Sequence, residues 1–349
     1  MRRVLVTGGA GFIGSHVVDR LLADGWHVTA VDNLDPFYNR ATKLANIRHN
    51  LGHPKFRFCE ADICASQPGW TTARERFEAI VHLAAKTGVR PSITDPQGYQ
   101  RVNVGGTAAL LEFARQAGVE RFLFASSSSV YGTNPRLPWR ESECELRPIS
   151  PYASTKISAE LLGHVYSHLY RLRFVSLRFF TVYGPRQRPD LAIHKFVGRI
   201  ARRKPIAVFG SGTACRDYTY VADIVRGISA ALDYSGSLYE VFNLGGGRPT
   251  SLLEMVAVIE QSLGLRAELQ HQAEQPGDLR QTHADIGKAR RLLGYEPATS
   301  LASGIRQFVE WFYEHSMPSE ISMALASPTE ITPCEVRSSS FRGVIRATS

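Results

Sequence analysis

Between Arg3 and Phe180, short apolar runs alternate with longer stretches of helical period. The runs are Val4-Leu5-Val6, Val28-Thr29-Ala30-Val31, Phe56-Arg57-Phe58, Ala79-Ile80-Val81-His82-Leu83, Phe122-Leu123-Phe124 and Phe174-Val175-Ser176-Leu177. Nearly continuous apolar strands of this length, joined by segments long enough for a helical crossover, predict a parallel sheet covered on both faces. The first half therefore reads as α/β, a doubly wound parallel sheet. After Gly184-Pro185 the alternation becomes irregular. Strands over 205–209 and 240–244, and helices over 191–202, 221–232, 252–263, 286–293 and 301–313, predict a smaller, partly interleaved α/β lobe. The division expected is residues 1–185 with a returning segment at about 217–245 for the sheet domain, and 186–216 with 246–316 for the second lobe. From Met317 the chain is rich in Ser, Thr and Pro and has no period, so 317–349 reads as a flexible tail.

Two helical stretches, near 97–116 and 150–170, carry apolar residues on more than one face, among them Val102, Leu111 and Phe113, and Ile157, Leu161, Val165 and Leu169. A homodimer interface and a deeply buried helix pair both account for that pattern.

The chain has 349 residues, 44% hydrophobic and 21% charged, which is ordinary globular composition and excludes disordered, collagen-like and disulfide-stapled classes. No apolar run approaches the roughly 18 residues of a membrane span, and no export signal is visible. Five widely spaced cysteines without a C-x-x-C pair fit a reduced, cytoplasmic setting. Lys and Arg (41) exceed Asp and Glu (32) by 9, which favours an anionic partner: nucleic acid, a membrane surface or a phosphorylated small molecule. The basic stretch Arg199, Arg202, Arg203, Lys204 lacks interleaved aromatics and reads as a solvated face, so neither nucleic acid nor membrane is expected as partner.

Thr7-Gly8-Gly9-Ala10-Gly11-Phe12-Ile13-Gly14 follows the first strand and opens a helix through Val17, Val18, Leu21 and Leu22. In a strand-loop-helix setting the glycines let backbone approach a pyrophosphate, whose charge then meets the free N–H groups and positive dipole end of the helix. Asp32, ending the second strand with Asn33 after it, can accept both ribose hydroxyls and would repel a 2′-phosphate. NAD is therefore expected over NADP. Asp62 and Ile63 after the third strand, and Leu83, Ala84 and Ala85 ending the fourth, stand at carboxyl ends where such a sheet binds ligands; Asp62 is either an adenine contact or a helix cap.

Only Tyr152, of thirteen tyrosines, has a lysine four residues on. On a helix that spacing puts Lys156 on the same face, where its ammonium can stabilise a phenolate and pull the phenol down from about 10. Upstream, Ser126-Ser127-Ser128-Ser129-Val130-Tyr131-Gly132 brings hydroxyls to the same sheet edge, and one of them can share a hydrogen bond with a substrate hydroxyl. His164 and His168, four apart, have no third metal ligand in view, and no metal is expected.

With this fingerprint, serine cluster and Tyr/Lys pair in that order, and with Arg216-Asp217-Tyr218-Thr219-Tyr220-Val221-Ala222-Asp223, the chain resembles the extended short-chain dehydrogenase/reductase family of nucleotide-sugar enzymes over about residues 1–315. The resemblance implies a Rossmann-type fold and a tightly held NAD that takes a hydride from sugar C4. It implies Tyr152 as base, Lys156 as its tuner and ribose contact, Ser127 rather than Ser126 as the catalytic hydroxyl, and Arg216 as a diphosphate ligand. Dehydratases of the family carry an Asp-Glu pair, and its decarboxylases a Glu, where this chain has Ser128 and Ser129, so epimerisation is the chemistry left.

Asp32-Asn33-Leu34-Asp35-Pro36-Phe37-Tyr38, Gly88-Val89-Arg90-Pro91-Ser92 and Thr181-Val182-Tyr183-Gly184-Pro185-Arg186-Gln187-Arg188-Pro189-Asp190 resemble the branch that epimerises UDP-glucuronate. Arg90 then belongs to the substrate site, and Thr181, Ser128, Arg186 and Arg188 can supply donors to a carboxylate at C5, with the two arginines competing for one role. Arg280 can add a second phosphate contact; uronate relatives often lack it, which keeps neutral UDP-hexoses and N-acetylhexosamines as alternative substrates. A non-catalytic NAD-binding regulator would need the glycine loop without Tyr152 and Lys156, and a net dehydrogenase would consume NAD.

Overall fold

The computed structural model describes residues 2–65, 76–274 and 279–316; the tail expected over 317–349 lies outside them. Six strands follow the predicted apolar runs: β1 (Arg3–Thr7), β2 (His27–Asp32), β3 (Phe56–Glu60), β4 (Ala79–His82), β5 (Arg121–Ser127) and β6 (Arg173–Phe179). Short β7 (Thr181–Tyr183), β8 (Ile206–Phe209) and β9 (Cys215–Tyr220) precede β10 (Tyr239–Leu244), and β11 (Pro249–Ser251) and β12 (Leu269–Gln272) follow. β10 returns to the first six to complete a seven-stranded parallel sheet of order β10-β6-β5-β4-β1-β2-β3. β7, β9 and β11 form a three-stranded sheet, and β8 pairs with β12.

The helices are α1 (Phe12–Ala23), α2 (Arg40–Ile47), α3 (Val89–Thr94), α4 (Pro96–Tyr99), α5 (Gly106–Ala117), α6 (Pro151–Tyr170), α7 (Ala192–Ala201), α8 (Val221–Asp233), α9 (Leu252–Leu263), α10 (Gly287–Leu293) and α11 (Leu301–Ser316). The helix expected near 97–116 is interrupted: a π-helical turn, Gln100–Gly105, separates α4 from α5. Two apolar layers cover the sheet. Val4, Val6, Val28 and Ala30 of β1 and β2 face α1 and α8, whereas Leu5, Val31, Ile80, Phe122 and Phe174 pack with α5 and α6. Both faces are thus buried, which is why these strands read as continuous apolar runs.

Strand order reverses between β1 and β4, since β1 leads outward to β2 and β3 while β4 returns on its other side. The carboxyl ends around that switch point frame a crevice. β8 and the start of α7 stand over it, and Phe196, Ile200, Ile305, Phe308 and Phe312 join these later elements to the main core.

Candidate active site

A cleft of about 780 Å³ runs along the carboxyl ends of the sheet, toward the upper end of the range for small-molecule sites. Its floor is backbone. Gly8, at φ +70°, donates its N–H to Val31 O at 2.7 Å, and a Cβ there would lie 2.8 Å from Ala84 N. At Gly14 a Cβ would sit 2.0 Å from Gly8 O, so the loop and the first turn of α1 close only with glycine at both points. The N-cap of α1, Gly11, offers no side-chain acceptor, which leaves the first-turn N–H groups of Phe12, Ile13 and Gly14 facing the cleft.

Asp32 closes this end. Its carboxylate accepts Leu34 N at 2.8 Å and lies 3.7 Å from the Lys43 ammonium, and both side chains are buried. Burial raises the Asp32 carboxyl above its ordinary range, with Lys43 opposing. Asp62 Oδ1 accepts Cys64 N at 2.8 Å and its Oδ2 accepts Asn33 Nδ2 at 3.3 Å, so it turns its own loop while lining the cleft with Asn33 and Ile63. Leu83, Ala84 and Ala85 form the opposite wall.

Tyr152 and Lys156 project from α6 into the middle of the cleft. Ser150 caps the helix by accepting Ala153 N, and Pro151 occupies its first turn, so the Tyr/Lys face is fixed at entry. Tyr99 packs edge-on against Tyr152 at 6.3 Å and donates its hydroxyl to Thr87 O at 2.7 Å. Lys156 lies a turn deeper and donates to Ala125 O at 2.7 Å, its Nζ 5.8 Å from the centre of the Tyr152 ring. Burial lowers the ammonium to about 7, opposed by the negative charge of Glu160.

The sequence leads one to expect Lys156 to lower the Tyr152 phenol. The structure differs: burial raises the phenol, and hydrogen bonding from Ser127 with the positive charge of Arg188 opposes that rise. The reason is geometric, because the ammonium is held against Ala125 O instead of the phenol oxygen.

The end of β5 sorts its serines by alternation. Ser126 donates to Glu160 at 2.6 Å, whereas Ser127, on the other face, bonds Ser129 Oγ at 3.1 Å beside Tyr152. With a glycine cradle for a pyrophosphate, an acid for a ribose, and a Ser/Tyr/Lys group at the next strand ends, the cleft can hold a dinucleotide and transfer a proton beside it.

The model of the NAD dependent epimerase/dehydratase family matches residues 4–245. The chain belongs to that family. Among its members, a UDP-glucuronate 4-epimerase of Thermodesulfobacterium geofontis is 41% identical over 315 residues, covering 89% of this chain and 96% of the relative. The crystal structure of a UDP-glucuronic acid 4-epimerase from Bacillus cereus, in complex with UDP-glucuronic acid and NAD, superposes with a TM-score of 0.82 at 36% identity, over 89% of this chain and 99% of that one. A UDP-glucose 4-epimerase from Thermotoga maritima, crystallised with UDP-glucose, gives 0.80 at 35% identity over 89% and 99%. NAD is the cofactor of this epimerase/dehydratase family, and this chain's cradle fits it: with no Cβ at Gly8 to strike Ala84 and none at Gly14 to strike Gly8 O, the loop closes on the first turn of α1 and leaves its uncapped N–H groups for a pyrophosphate.

On the substrate side of this epimerase/dehydratase cleft, Arg90, Thr181, Arg188 and Arg216 line the wall. Arg188 makes a two-pronged ion pair with Asp190 at 2.9 and 3.0 Å, over the ring of Phe37. Arg90 stacks on Phe209 of β8 at 4.9 Å.

Three expected residues stand elsewhere. Arg186, in left-handed backbone at φ +63°, turns away and pairs with Asp19 of α1 at 2.7 Å, so it offers no donor to the cleft. Ser128 starts a 3₁₀ turn, Ser128–Tyr131, and is not among the lining residues. Arg280 is exposed outside the cleft, with its carbonyl taken by Cys215 N. Lys43 was not anticipated, because α2 is short and weakly apolar and nothing in its period marks a lysine that folds back onto Asp32. His164, one of the possible metal pair, packs edge-on against Tyr239 at 4.9 Å.

Proposed function

We propose that the protein is a UDP-sugar 4-epimerase whose substrate is UDP-glucuronate, converted reversibly to UDP-galacturonate with no net consumption of NAD. The observation that carries the choice of sugar is Arg188, which stands in the cleft close enough to Tyr152 to act on its phenol. Tyr152 must meet the hydroxyl at C4, and a cation beside it is placed for an acid on the neighbouring carbon, C5.

Gly8, Gly11, Phe12, Ile13 and Gly14 take the pyrophosphate of NAD; Asp32, with Lys43 beside it, takes a ribose, and Lys156 the other. When bound, NAD supplies the oxidising power for C4 and its return. Tyr152 removes the C4 hydroxyl proton as that carbon becomes a ketone, while Ser127 donates a hydrogen bond to the same oxygen. After the ring turns over, Tyr152 gives the proton back. A 4-keto uronate is a β-keto acid, and it loses carbon dioxide only when the breaking bond overlaps the carbonyl π system. Arg188 and Thr181 hold the carboxylate near the plane of the carbonyl and suppress that loss. Arg216 and Arg90 take the diphosphate and its nucleoside.

We assign NAD to the domain of residues 1–185 with 217–245, and the sugar nucleotide to the lobe of 186–216 and 246–316. Leu161, Val165 and Leu169 are exposed along one face of α6, which favours a homodimer. No disulfide joins the cysteines among the described residues, in keeping with a cytoplasmic enzyme. Incubation with each UDP-sugar, followed by NMR of the products, tests the reading. UDP-galacturonate from UDP-glucuronate supports it; preferential turnover of UDP-glucose or UDP-N-acetylglucosamine would replace the substrate, and no turnover of any would favour a regulator.

A further inference from the structure

Beneath the Tyr152/Lys156 pair lies a closed group of polar side chains that the proposed reaction does not use. Glu160 is one helical turn beyond Lys156 on the same face of α6 and is almost wholly buried. Its Oε1 accepts Ser126 Oγ of β5 at 2.6 Å, Ser176 Oγ of β6 at 2.9 Å and Arg178 Nε at 3.0 Å; its Oε2 accepts Arg178 Nη2 at 2.7 Å. Arg178, also buried, lies with its guanidinium carbon 4.8 Å from the centre of the Tyr131 ring. A buried ion pair is weak evidence of stabilisation, since apolar residues of similar volume serve as well. This one therefore calls for another use.

We propose that Glu160 is a positioning residue for the catalytic pair: it keeps Lys156 charged in its buried site and, through Ser126, fixes the strand end that presents Ala125 O to that ammonium and Ser127 to Tyr152. The inference rests on Tyr152 and Lys156 acting as described above. The geometry supplies both effects. One carboxylate joins α6 to β5 and β6, and its hold on Ser126 lies between the two β5 groups that the active site uses. Its negative charge offsets the buried Arg178, which would otherwise stand as an uncompensated cation in the same interior.

The groups that face this centre are few. Arg178 from β6 and Tyr239 from β10 face Glu160, Tyr131 from the 3₁₀ turn faces Arg178 and Glu141, and His82 from β4 faces Lys156. Tyr152 lies on the same helix as both, and Tyr99 of α4 packs against Tyr152. Ser126, Ser176, Thr107 and Thr155 add hydroxyls that do not titrate in the working range.

The test compares wild type, Glu160→Gln and the double variant Glu160→Gln/Arg178→Met, each loaded with NAD. Glu160→Gln leaves Arg178 buried and unpaired, so the pH profile of kcat should move bodily to lower pH by about one unit or more while KM changes little. The double variant removes the stranded charge, and its profile should return most of the way toward wild type, even if its maximum is lower. The same order should appear without turnover, in the titration of the Lys156 ε-carbon NMR signal, assigned by its loss in Lys156→Met. Profiles and Lys156 titrations that stay in place in both variants, with only the height of kcat reduced, would overturn the proposal. Should Glu160→Gln not fold, an Arg178→Met single variant, which leaves the carboxylate unpaired, must shift both readouts upward or the idea fails. Wild-type protein that turns over no UDP-sugar would instead count against the epimerase reading, because the Lys156 titration stands apart from it.

Discussion

The two ends of the cleft are built from different materials. The dinucleotide end is backbone and short side chains: glycines that tolerate no Cβ, the bare first turn of α1, and one buried acid at a strand end. The sugar end is made of long cations, Arg188 on a loop, Arg90 on α3 and Arg216 on β9, and they are already held by other groups, as Arg188 is by Asp190 and Arg90 by Phe209. A site fixed by backbone accepts one ligand shape. A site of ion pairs exchanges its partners, and an epimerase needs that difference, since it must grip a nucleotide while the sugar ring turns. Tyr152 and Lys156 stand where the two meet.

The largest effect should come at that junction. Tyr152→Phe is expected to lower kcat by about 10³-fold or more while UDP-glucuronate binding changes only a few-fold, as isothermal titration would show. If both ends tightened or loosened together, the comparison would be broken. Next, Arg188→Met should lower kcat/KM for UDP-glucuronate by roughly 10- to 100-fold, the worth of a charge-assisted hydrogen bond. Turnover of UDP-glucose should be little changed, and a UDP-pentose should appear by NMR as carbon dioxide is lost. Equal losses on both sugars would show that Arg188 does not read the acid.

At the other end, Asp32→Ala should weaken NAD by about tenfold and narrow its advantage over NADP, measured by fluorescence titration. A milder effect is expected of Asp19→Asn, which cuts the tie from α1 to the loop carrying Arg188. KM for the sugar should rise a few-fold with kcat nearly unchanged, since Asp19 also holds His49 and Asn50.

The buried end has a pH signature as well. Burial lowers His82 to about 3 and His16 to about 4. Both stay neutral in the fold but take up protons near their ordinary value when unfolded. Below about pH 6.5 the unfolded chain therefore binds more protons, and stability should fall toward pH 4 by up to about 1.4 kcal/mol per unit for each histidine. Urea midpoints along that range check it, and His82→Gln should flatten the slope.

What the sequence made legible follows the same division. The six apolar runs, the glycine loop, Asp32 and the Tyr152/Lys156 spacing are local patterns, and the structure places each at the expected strand or helix end. The short strands β7, β9, β11 and β12 were not legible, because three to six residues of mixed polarity carry no period. Arg186 and Arg188 read alike as sequence, yet a left-handed turn at Arg186 sends one to Asp19 and the other to the cleft. Lys43 escaped for the same reason: a long side chain's partner is set by tertiary packing. The lowering of Tyr152 by Lys156 failed as an expectation because helical spacing places two residues on one face but does not say which acceptor an ammonium takes.

The account turns on reversible oxidation at one carbon, and a single labelling experiment addresses it. UDP-glucuronate carrying deuterium at C4 should give UDP-galacturonate that keeps the deuterium at C4, with none released to water, and Tyr152→Phe should give almost no product. Deuterium washed into solvent during epimerisation, or inversion at another carbon with C4 untouched, would contradict it.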